Sequence, residues 1–335
     1  MDKFVEQFDA ALKRIEISGV RLKLAISSHK EVREVLLGSE RLRDWGLDPV
    51  LIGSYARDTG IYPGKDVDLF GRLYKVSTTI APRTVYDAFW DVLKKKYGDR
   101  AQPQRRSIKV KFKFDNEEFF VDSVPAVPFI QRWAIPSGDQ ALWERDWERQ
   151  GWCETDPEKL TQLTQALNAA LKIGGRGAYV PTVKLIKQVR NHGLADSDPG
   201  GLFFELMTYW AFKTNATADN FAETLTYTLR SIANQLSRMP TVPLIDPVLE
   251  RPYEPVPKQP DIERAAAKFN DIAARAESAL SAETCPAAAI WRNIIGKNGR
   301  GWCFTLPEGC DETGKKITPI TSAISRGPRE SHGFG

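Results

Sequence analysis

The chain has 335 residues, which is room for one large domain or two. Hydrophobic residues make up 42% of it and charged residues 27%, which excludes collagen-like and wholly disordered chains. The 47 basic and 43 acidic side chains leave a net charge of +4, too small to favour stable nucleic-acid binding. No apolar run reaches the ~18 residues of a membrane helix, and the charged N-terminus lacks a signal-peptide core. We therefore expect a cytoplasmic protein that binds no membrane.

The cysteines are few for a chain of this length. Cys153, Cys285, Cys303 and Cys310 do not form a disulfide scaffold, so we expect them to be reduced, as in the cytosol. They contain no Cys-x-x-Cys pair, and their spacing fits no compact zinc finger. A structural zinc site is therefore disfavoured.

The apolar pattern of the first half of the chain switches between helix and strand. A helical period at the N-terminus places Phe4, Phe8 and Ile15 on one face. Further helices are expected at residues 29–45 and 83–97, and strands at residues 49–52, 66–74, 108–114 and 118–124, the last two joined by a turn at 115–116. This pattern predicts a mixed sheet with helices before and among its strands.

The second half of the chain is mostly helical by its spacing. Helices are expected at residues 158–173, 180–192, 202–213, 218–239, 261–282 and 287–295. A proline-rich linker occupies residues 239–260, where regular structure is disfavoured. We expect an α/β protein with a core domain and N-terminal helices at 1–155, a helical lobe at 156–320 and a flexible tail at 321–335.

Three aspartates on expected strands are the first candidate site residues. Asp66 and Asp68 are separated by one residue, so on a strand both carboxylates point to one face. Like charges side by side repel unless a cation lies between them, and a pair of divalent metal ions meets that need. Asp122, in an otherwise apolar strand, is a third carboxylate that needs such a partner.

Gly53 and Ser54, at the end of an expected strand, match what a triphosphate needs. A glycine lets the backbone approach, while free amides and the Ser54 hydroxyl can bind phosphate oxygens. A Gly-Ser turn or an Asp-x-Asp pair alone is common by chance. Their occurrence in this order, with a third carboxylate downstream, indicates metal-assisted phosphoryl transfer.

The run GSYARDTGIYPGKDVDL, followed by VDSVPA, resembles the nucleotidyltransferases of the DNA polymerase β type. The finer detail resembles the bacterial CD-NTases of CBASS anti-phage systems, the branch related to cyclic GMP-AMP synthase and oligoadenylate synthase. The segments YVPTVKLIKQVRNHG, LIDPVLERPY and FNDIAARAESALSA are similar to the helices and the linker of that branch. The resemblance covers about residues 4–296, and it implies a polymerase β-like core packed against a helical lobe, with the active site in the cleft between.

The resemblance also implies roles for individual residues. Asp66 and Asp68 would bind two metal ions, Mg²⁺ or Mn²⁺, and Asp122 would complete the site of the ion that activates the attacking hydroxyl. The backbone of Gly53 and the hydroxyl of Ser54 would hold the donor phosphates. Nucleotide binding would also involve a Lys-x-x-Lys pair, Lys184 and Lys187, of which the second contacts the triphosphate.

Several of these positions have a second explanation or depart from the family. A solvated helix face also explains the basic stripe of Lys184, Lys187 and Arg190. The strand lysines Lys109, Lys111 and Lys113 line the nucleotide cleft, bind RNA or face solvent. Gly201 stands where relatives carry a phosphate-binding serine, and Asp58 stands where many carry glycine.

The expected function is metal-dependent joining of nucleoside triphosphates, ATP and/or GTP, into a cyclic di- or trinucleotide second messenger read by a downstream effector. The terminal segment ending in Gly335 resembles CD-NTases whose C-terminus is joined to targets by an E1/E2-like ligase, although an ordinary frayed terminus explains it as well. Three alternatives stay open. They are a template-independent polymerase that makes linear oligonucleotides or tails RNA, an enzyme that transfers AMP to protein, and a non-catalytic nucleotide-binding module.

Overall fold

The first half of the chain builds a seven-stranded mixed sheet within the described residues. The computed structural model describes residues 4–114, 117–136, 151–195, 197–214 and 217–317, so the expected turn at 115–116 and the tail with Gly335 lie outside it. The strands are β1 (Leu47–Ile52), β2 (Asp66–Leu73), β3 (Ala101–Pro103), β4 (Ile108–Phe114), β5 (Glu117–Phe129), β6 (Arg132–Pro136) and β7 (Trp152–Thr155).

The order of the central strands is β1-β2-β5-β4-β3. β2 and β5 run parallel, and the other neighbours in this path are antiparallel. The second half of β5 leaves this path and pairs with β6, which in turn pairs with β7. The parallel pair therefore lies at the centre of the sheet, between two antiparallel neighbours.

The first half of the chain has five helices: α1 (Val5–Ile15), α2 (Val20–Leu37), α3 (Glu40–Asp44), α4 (Gly53–Ala56) and α5 (Pro82–Tyr97). Of these, α2 and α5 pack on one face of the sheet. Val32 of α2 and Phe89 of α5 pack in one buried cluster with Val67 and Leu69 of β2 and Val121 of β5. Because side chains alternate along a strand, the residues between these apolar ones point to the other face, away from α2 and α5.

The second half of the chain forms a helical lobe. Its helices are α6 (Pro157–Ala170), α7 (Tyr179–Leu194), α8 (Gly201–Lys213), α9 (Phe221–Ser237), α10 (Gln259–Ser281) and α11 (Thr284–Ile295). Two short ribbons lie beside them, formed by β8 (Lys172–Ile173), β9 (Arg176–Gly177), β10 (Lys297–Asn298) and β11 (Gly301–Trp302). Between α9 and α10, the proline-rich linker contains an isolated bridge between Ile245 and Pro252. None of the described helices is both long and apolar enough to cross a membrane.

The first helix of the chain packs in the helical lobe and not on the sheet. Its buried Phe8 contacts Trp291 and Phe304 edge to face, with ring centroids 5.4 and 5.3 Å apart. Phe8 and Ile15 belong to the same buried cluster as α7 to α11. The expected boundary at residue 155, with the N-terminal helices in the core domain, did not anticipate this contact, because helical spacing shows which face is apolar but not what covers it.

Two expectations from the sequence are wrong. The single helix expected at residues 29–45 is two helices, because the chain turns after Gly38 and Ser39 caps α3 by accepting from the Leu42 amide. The cysteines are not all reduced, since Cys285 and Cys310 form a disulfide, while Cys153 and Cys303 are free. Local spacing could not predict this pair because the two cysteines are 25 residues apart.

We expect Phe304→Ala to lower the free energy of unfolding by about 3–5 kcal/mol. Phe304 is fully buried and contacts both Phe4 and Phe8, so its loss leaves a cavity between α1 and the helical lobe. Urea unfolding measures the change. Phe114→Ala, at a position 50% exposed, is the matched control. Equal losses for the two variants would contradict this packing.

Candidate active site

The parallel register of β2 and β5 brings three carboxylates to one face of the sheet. Asp68 lies directly opposite Asp122, and Asp66 precedes Asp68 by two residues and so shares its face. Val67, between the two aspartates of β2, is 1% exposed and belongs to the core on the other face. The structure therefore brings together the three aspartates that the sequence singled out.

The environment of Asp68 and Asp122 disfavours the ionised form of their side chains. Burial, together with the charges of Asp66 and Asp122, raises the pKa of Asp68 to about 7, although Arg57 and Lys109 oppose the shift. Burial also raises the pKa of Asp122 to about 6, with Lys109 opposing and Asp66 adding to the rise. The nearby cations of the protein therefore offset only part of the effect of burial and of the neighbouring carboxylates on these pKa values.

Lys109 of β4 is a cation next to Asp122. It lies opposite Asp122 in the antiparallel pairing of β4 with β5, so it points to the same face. In the amide orientation that satisfies both groups, Gln104 donates to Asp122 Oδ1 at 3.1 Å and accepts from Lys109 Nζ at 3.0 Å. This placement puts Lys109 beside Asp122 and leaves the three explanations for the strand lysines open.

The carboxylates fit a divalent cation that shares its ligands with a substrate. Among the described residues, no group of three or more His, Cys, Asp or Glu side chains is arranged to hold a metal ion by itself. Mg²⁺, however, commonly binds one or two carboxylates and completes its octahedron with water and substrate phosphates. Asp66, Asp68 and Asp122 supply such oxygen ligands on one face of the sheet. Burial disfavours the ionised forms of Asp68 and Asp122, which a bound cation would stabilise.

Gly53 allows the turn after β1 to approach Asp68. Its φ of +71° lies in the left-handed region, and a Cβ built there would lie 2.0 Å from Asp68 Oδ2. Ser54 follows in α4, and its carbonyl accepts from the amides of Thr59 at 2.8 Å and Gly60 at 3.2 Å. The positive φ of Gly53 and its close approach to Asp68 therefore both require glycine at position 53.

A cleft of about 550 Å³ lies between the sheet and the helical lobe. Gly53, Ser54, Asp66 and Asp68 line it from the sheet side. The helical lobe and the linker contribute, among others, Lys187, Arg190, Gly201, Glu205, Asp246 and Val248. The expected active-site cleft between two lobes thus contains the Gly-Ser turn and two of the three aspartates.

The basic stripe on α7 is buried. Lys184, Lys187 and Arg190 are 4%, 7% and 8% exposed, so the explanation as a solvated helix face is wrong. Lys184 pairs with Asp58 at 3.0 Å and Glu16 at 3.2 Å and does not line the cleft, as far as the described residues define it. The role of Lys184 in nucleotide binding stays a prediction.

Lys187 is engaged within the protein. Its Nζ donates to Glu205 Oε2 at 2.7 Å, to the Thr59 carbonyl at 3.0 Å and to Thr59 Oγ1 at 3.2 Å. An ammonium has three donors, and all three have an acceptor here. Contact with a phosphate would require Lys187 to give up one of these bonds, and its assignment to the triphosphate stays a prediction.

Glu205 and Arg57 are residues of the cleft that the sequence analysis missed. Glu205 is fully buried, and Arg57 donates to it at 2.6 Å from Nε. Burial alone would raise the pKa of Glu205, but Lys187 and Arg57 outweigh it and hold the pKa at about 2. A signal existed, because Glu205 interrupts the apolar run LFFELM just as Asp122 interrupts an apolar strand.

Asp58 has a structural explanation. Its φ of +53° lies in the left-handed region, which glycine adopts freely and aspartate tolerates. Its carboxylate pairs with Lys184. Aspartate therefore occupies here a backbone conformation that glycine would adopt freely.

We expect Asp68→Asn to stabilise the metal-free protein at pH 8. The folded-state pKa of about 7 lies above the ordinary value of 3.8, so ionised Asp68 destabilises the folded chain by on the order of 4 kcal/mol above pH 7. The gain should shrink as the pH falls from 7 towards 4, because Asp68 is then protonated in the folded chain. Thermal unfolding in a chelator at pH 8 and pH 5 measures it.

The control for this experiment is Asp271→Asn, at an exposed position on α10 beside Arg275. It should change the melting temperature little at either pH, because a solvated carboxylate costs the folded chain nothing. A stabilisation by Asp68→Asn that is equal at pH 5 and pH 8 would show that charge burial is not its cause.

Comparison with known proteins agrees with this geometry. The Second Messenger Oligonucleotide or Dinucleotide Synthetase (SMODS) family matches residues 2–168. A cyclic AMP-AMP-AMP synthase of an Acinetobacter species is 26% identical over 308 residues, which is 87% of this chain and 84% of the relative. The sheet, the glycine turn and the three aspartates all lie within the SMODS match.

Solved structures share the fold. CdnC of E. coli MS115-1, solved with ATP, superposes with a TM-score of 0.68 at 17% identity, covering 91% of this chain and 99% of its own. The CD-NTase CdnG of Bradyrhizobium diazoefficiens, solved with GTP, has a TM-score of 0.66 at 15% identity and covers 88% and 97%. The chain belongs to the CD-NTases, polymerase β-like, metal-dependent nucleotidyltransferases that make cyclic oligonucleotide second messengers in CBASS.

Proposed function

We propose that this chain joins nucleoside triphosphates, ATP among them, into a cyclic di- or trinucleotide in the cleft between the sheet and the helical lobe. The single observation that carries the proposal is the register that aligns Asp68 with Asp122, beside the close approach of Gly53. The similarity to a cyclic AMP-AMP-AMP synthase along most of the chain supports ATP as a substrate.

Asp66, Asp68 and Asp122 are the proposed metal ligands, and two Mg²⁺ or Mn²⁺ ions are the proposed cofactors. When bound, such ions stabilise the attacking and leaving oxygens of an in-line displacement at the α-phosphate. The three aspartates would hold the cations, with Asp122 completing the site of the ion that activates the attacking sugar hydroxyl. The loss of pyrophosphate follows from that displacement, and a second round in the same cleft closes the ring.

Gly53 and Ser54 are the proposed phosphate ligands. Gly53 and Ser54 line the same cleft as Asp66 and Asp68. Gly201, at the first residue of α8, offers a backbone amide but no hydroxyl, so Ser54 is the hydroxyl we assign to the phosphates. The donor triphosphate would thereby be oriented with its α-phosphate towards the carboxylates.

The effector, the cellular compartment and the C-terminal conjugation are proposed from the family resemblance alone. We propose that the product reaches a downstream effector and that the enzyme works in the cytoplasm. Conjugation of Gly335 by an E1/E2-like ligase stays a prediction, since that residue lies outside the described ranges. None of these three statements is needed for the chemistry of the cleft.

The first test incubates the purified protein with the four radiolabelled NTPs and Mg²⁺ or Mn²⁺, followed by phosphatase. We expect small phosphatase-resistant products, because a cyclic nucleotide has no terminal phosphate. The doubly substituted Asp66→Ala/Asp68→Ala protein should lose product by about 1,000-fold or more, since it lacks two of three metal ligands. Omission of one NTP at a time identifies the bases, and mass spectrometry gives the ring size.

Two outcomes would contradict the proposal. Products that lengthen with time and carry a terminal phosphate, which phosphatase removes, would identify a polymerase of linear oligonucleotides. Binding of NTPs without any product, under both metals, would identify a nucleotide-binding module.

Gly53→Ala should abolish synthesis, because the added Cβ would displace the carboxylate of Asp68 and would also require a positive φ. Gly19→Ala is the matched control. Gly19 has a similar φ of +65° but no atom within 4 Å of its Cβ position, so this variant should lose a similar amount of stability and keep its activity. Product formation and thermal unfolding of both variants test this difference. Equal activities would mean that the approach of Gly53 to Asp68 is not required.

A further inference from the structure

The Cys285–Cys310 disulfide is unexpected in an enzyme that works in the cytoplasm. Disulfides are rare in cytosolic proteins because thiol systems keep cysteines reduced, and those that occur there usually serve catalysis or redox sensing. The bond joins two residues that lie 25 positions apart, one in the first turn of α11 and the other in a loop after β11. The nucleotidyl transfer proposed above makes no use of it, so the bond has a purpose outside that chemistry.

The segment closed by this disulfide packs against α1. It contains α11 and the ribbon of β10 and β11, and Phe304 within it contacts Phe8 of α1 edge to face, with ring centroids 5.3 Å apart. The ribbon also bonds to the end of α1. Asn298 Nδ2 donates to the Arg14 carbonyl at 3.1 Å, and Arg14 Nη1 donates to the Trp302 carbonyl at 3.1 Å. The disulfide therefore closes a segment that holds the C-terminal end of α1.

Arg300, in the turn of the ribbon, connects the closed segment to the wall of the cleft. Its guanidinium donates to the Glu16 carbonyl at 2.9 Å and to Ser18 Oγ at 3.2 Å. Ile17, between these two residues, lines the cleft. A Cβ built at Gly60 would lie 2.9 Å from Ile17 Cδ1, so Ile17 lies against the backbone of Gly60. The ribbon thus holds the link between α1 and α2 at the point where that link meets the cleft.

The same ribbon also holds the chain that follows the phosphate turn. Gly60 donates its amide to the carbonyl of Ser54 at 3.2 Å. Two residues further on, the Arg300 guanidinium stacks over the ring of Tyr62 at 4.2 Å, and the Tyr62 amide donates to the Ile15 carbonyl at 2.7 Å. A continuous set of contacts therefore leads from the disulfide-closed segment to the turn that we assign to the phosphates.

We propose that Cys285 and Cys310 form a thiol–disulfide exchange site for a dithiol reductant. In the oxidised form the closed segment holds residues 14–19 and 60–64 firmly, and in the reduced form this hold is looser and the cleft binds nucleotide more weakly. The effect on nucleotide binding and the compartment rest on the proposed function. The disulfide and its contacts do not depend on any activity.

The surroundings of the two cysteines assign the direction of the exchange. Cys310 lies in a surface loop, with exposed residues at 308–309 and 312–313, so an incoming thiolate reaches its sulfur by displacing only that loop. Cys285 is the second residue of α11, a helix of 12 residues, and the positive end of a helix dipole favours a negative charge there. Attack on Cys310 with departure of Cys285 is therefore the favoured step.

The exchange is a balanced two-electron reaction. A thiolate of the dithiol bonds to Cys310 Sγ, the disulfide breaks, and Cys285 leaves as a thiolate. The second thiol of the reductant, after losing its proton, then attacks the mixed disulfide, so Cys310 also leaves as a thiolate and the reductant becomes a disulfide. The two protons that the dithiol gives up restore both cysteines to thiols. The reverse reaction, with the oxidised carrier, closes the bond again.

The other cysteine of this segment does not compete in the exchange. Cys303 is fully buried, and burial raises the pKa of its thiol to about 11. At neutral pH it is therefore protonated, whereas the nucleophile of disulfide exchange is a thiolate.

The test compares protein purified without reductant and the same protein treated with dithiothreitol below its melting temperature. Alkylation followed by mass spectrometry counts the free thiols, and amide hydrogen exchange of residues 14–19 and 60–64 measures the hold on the cleft wall. Calorimetry with Mg²⁺ measures binding of α,β-methylene-ATP, which cannot release pyrophosphate. Two variants accompany the wild type. Cys285→Ser/Cys310→Ser removes the bond, and the control Cys153→Ser removes a free cysteine.

We expect dithiothreitol to make Cys285 and Cys310 available for alkylation in the folded protein. It should also speed hydrogen exchange at residues 14–19 and 60–64 and weaken binding of the analogue by about fivefold or more. The double serine variant should match the reduced wild type whether or not dithiothreitol is present. Cys153→Ser should respond to dithiothreitol as the wild type does. A thioredoxin-like carrier whose second cysteine is replaced by serine should be trapped on Cys310.

Several results would overturn the proposal. A bond that dithiothreitol reaches only after thermal unfolding is not an exchange site. Equal hydrogen exchange and equal affinity in the oxidised and reduced forms would show a disulfide that only stabilises the fold. Trapping of the carrier on Cys285 would overturn the assigned direction of attack. Failure of the wild type to bind the analogue in either form would instead count against the proposed function, because alkylation and hydrogen exchange need no nucleotide.

Discussion

The parallel pairing of β2 with β5 is the feature on which the rest of the site depends, because it brings carboxylates together. It sets Asp68 beside Asp122, with Asp66 on the same face, and the packing of α2 and α5 behind the strands fixes that alignment. Like charges at this spacing repel, and partial burial strengthens the repulsion. The absence of a side chain at Gly53 leaves space for the carboxylate of Asp68. The cation of Lys109 offsets part of the negative charge but not all of it.

Two carboxylates of the same cleft, Asp68 and Glu205, have pKa values shifted in opposite directions by their neighbours. Asp68 has acidic neighbours, and its pKa rises to about 7, whereas Glu205 lies between two cations that hold its pKa at about 2. Both side chains are largely removed from water, so the sign of the nearest charges decides the difference. The cations of Glu205 are part of the fold, while the carboxylate of Asp68 is suited to a cation that arrives with the substrate.

Local patterns predicted four of the seven strands, β1, β2, β4 and β5, but not β3, β6 or β7. They also predicted the shared face of Asp66 and Asp68, because that face depends on residues close together in the chain. The partners of those groups could not be predicted in the same way. Glu205 meets Arg57 across 148 residues, and the Cys285–Cys310 pair and the packing of α1 on the helical lobe are likewise contacts between distant segments. Spacing identified Lys187 as a cation on a helix, but whether that face meets solvent or a buried acid depends on the tertiary fold.

The position of α1 bears on how the protein is made. The sheet and its helices are continuous in sequence from α2 to β7, so this half has its partners as soon as it leaves the ribosome. The helical lobe is split in sequence, because α1 emerges well before Trp291 and Phe304, against which its Phe8 packs. The apolar face of α1 therefore lacks these partners until residues 291–304 have been made. Completion of the cleft, whose second wall is this lobe, is consequently a late event in the life of each new chain.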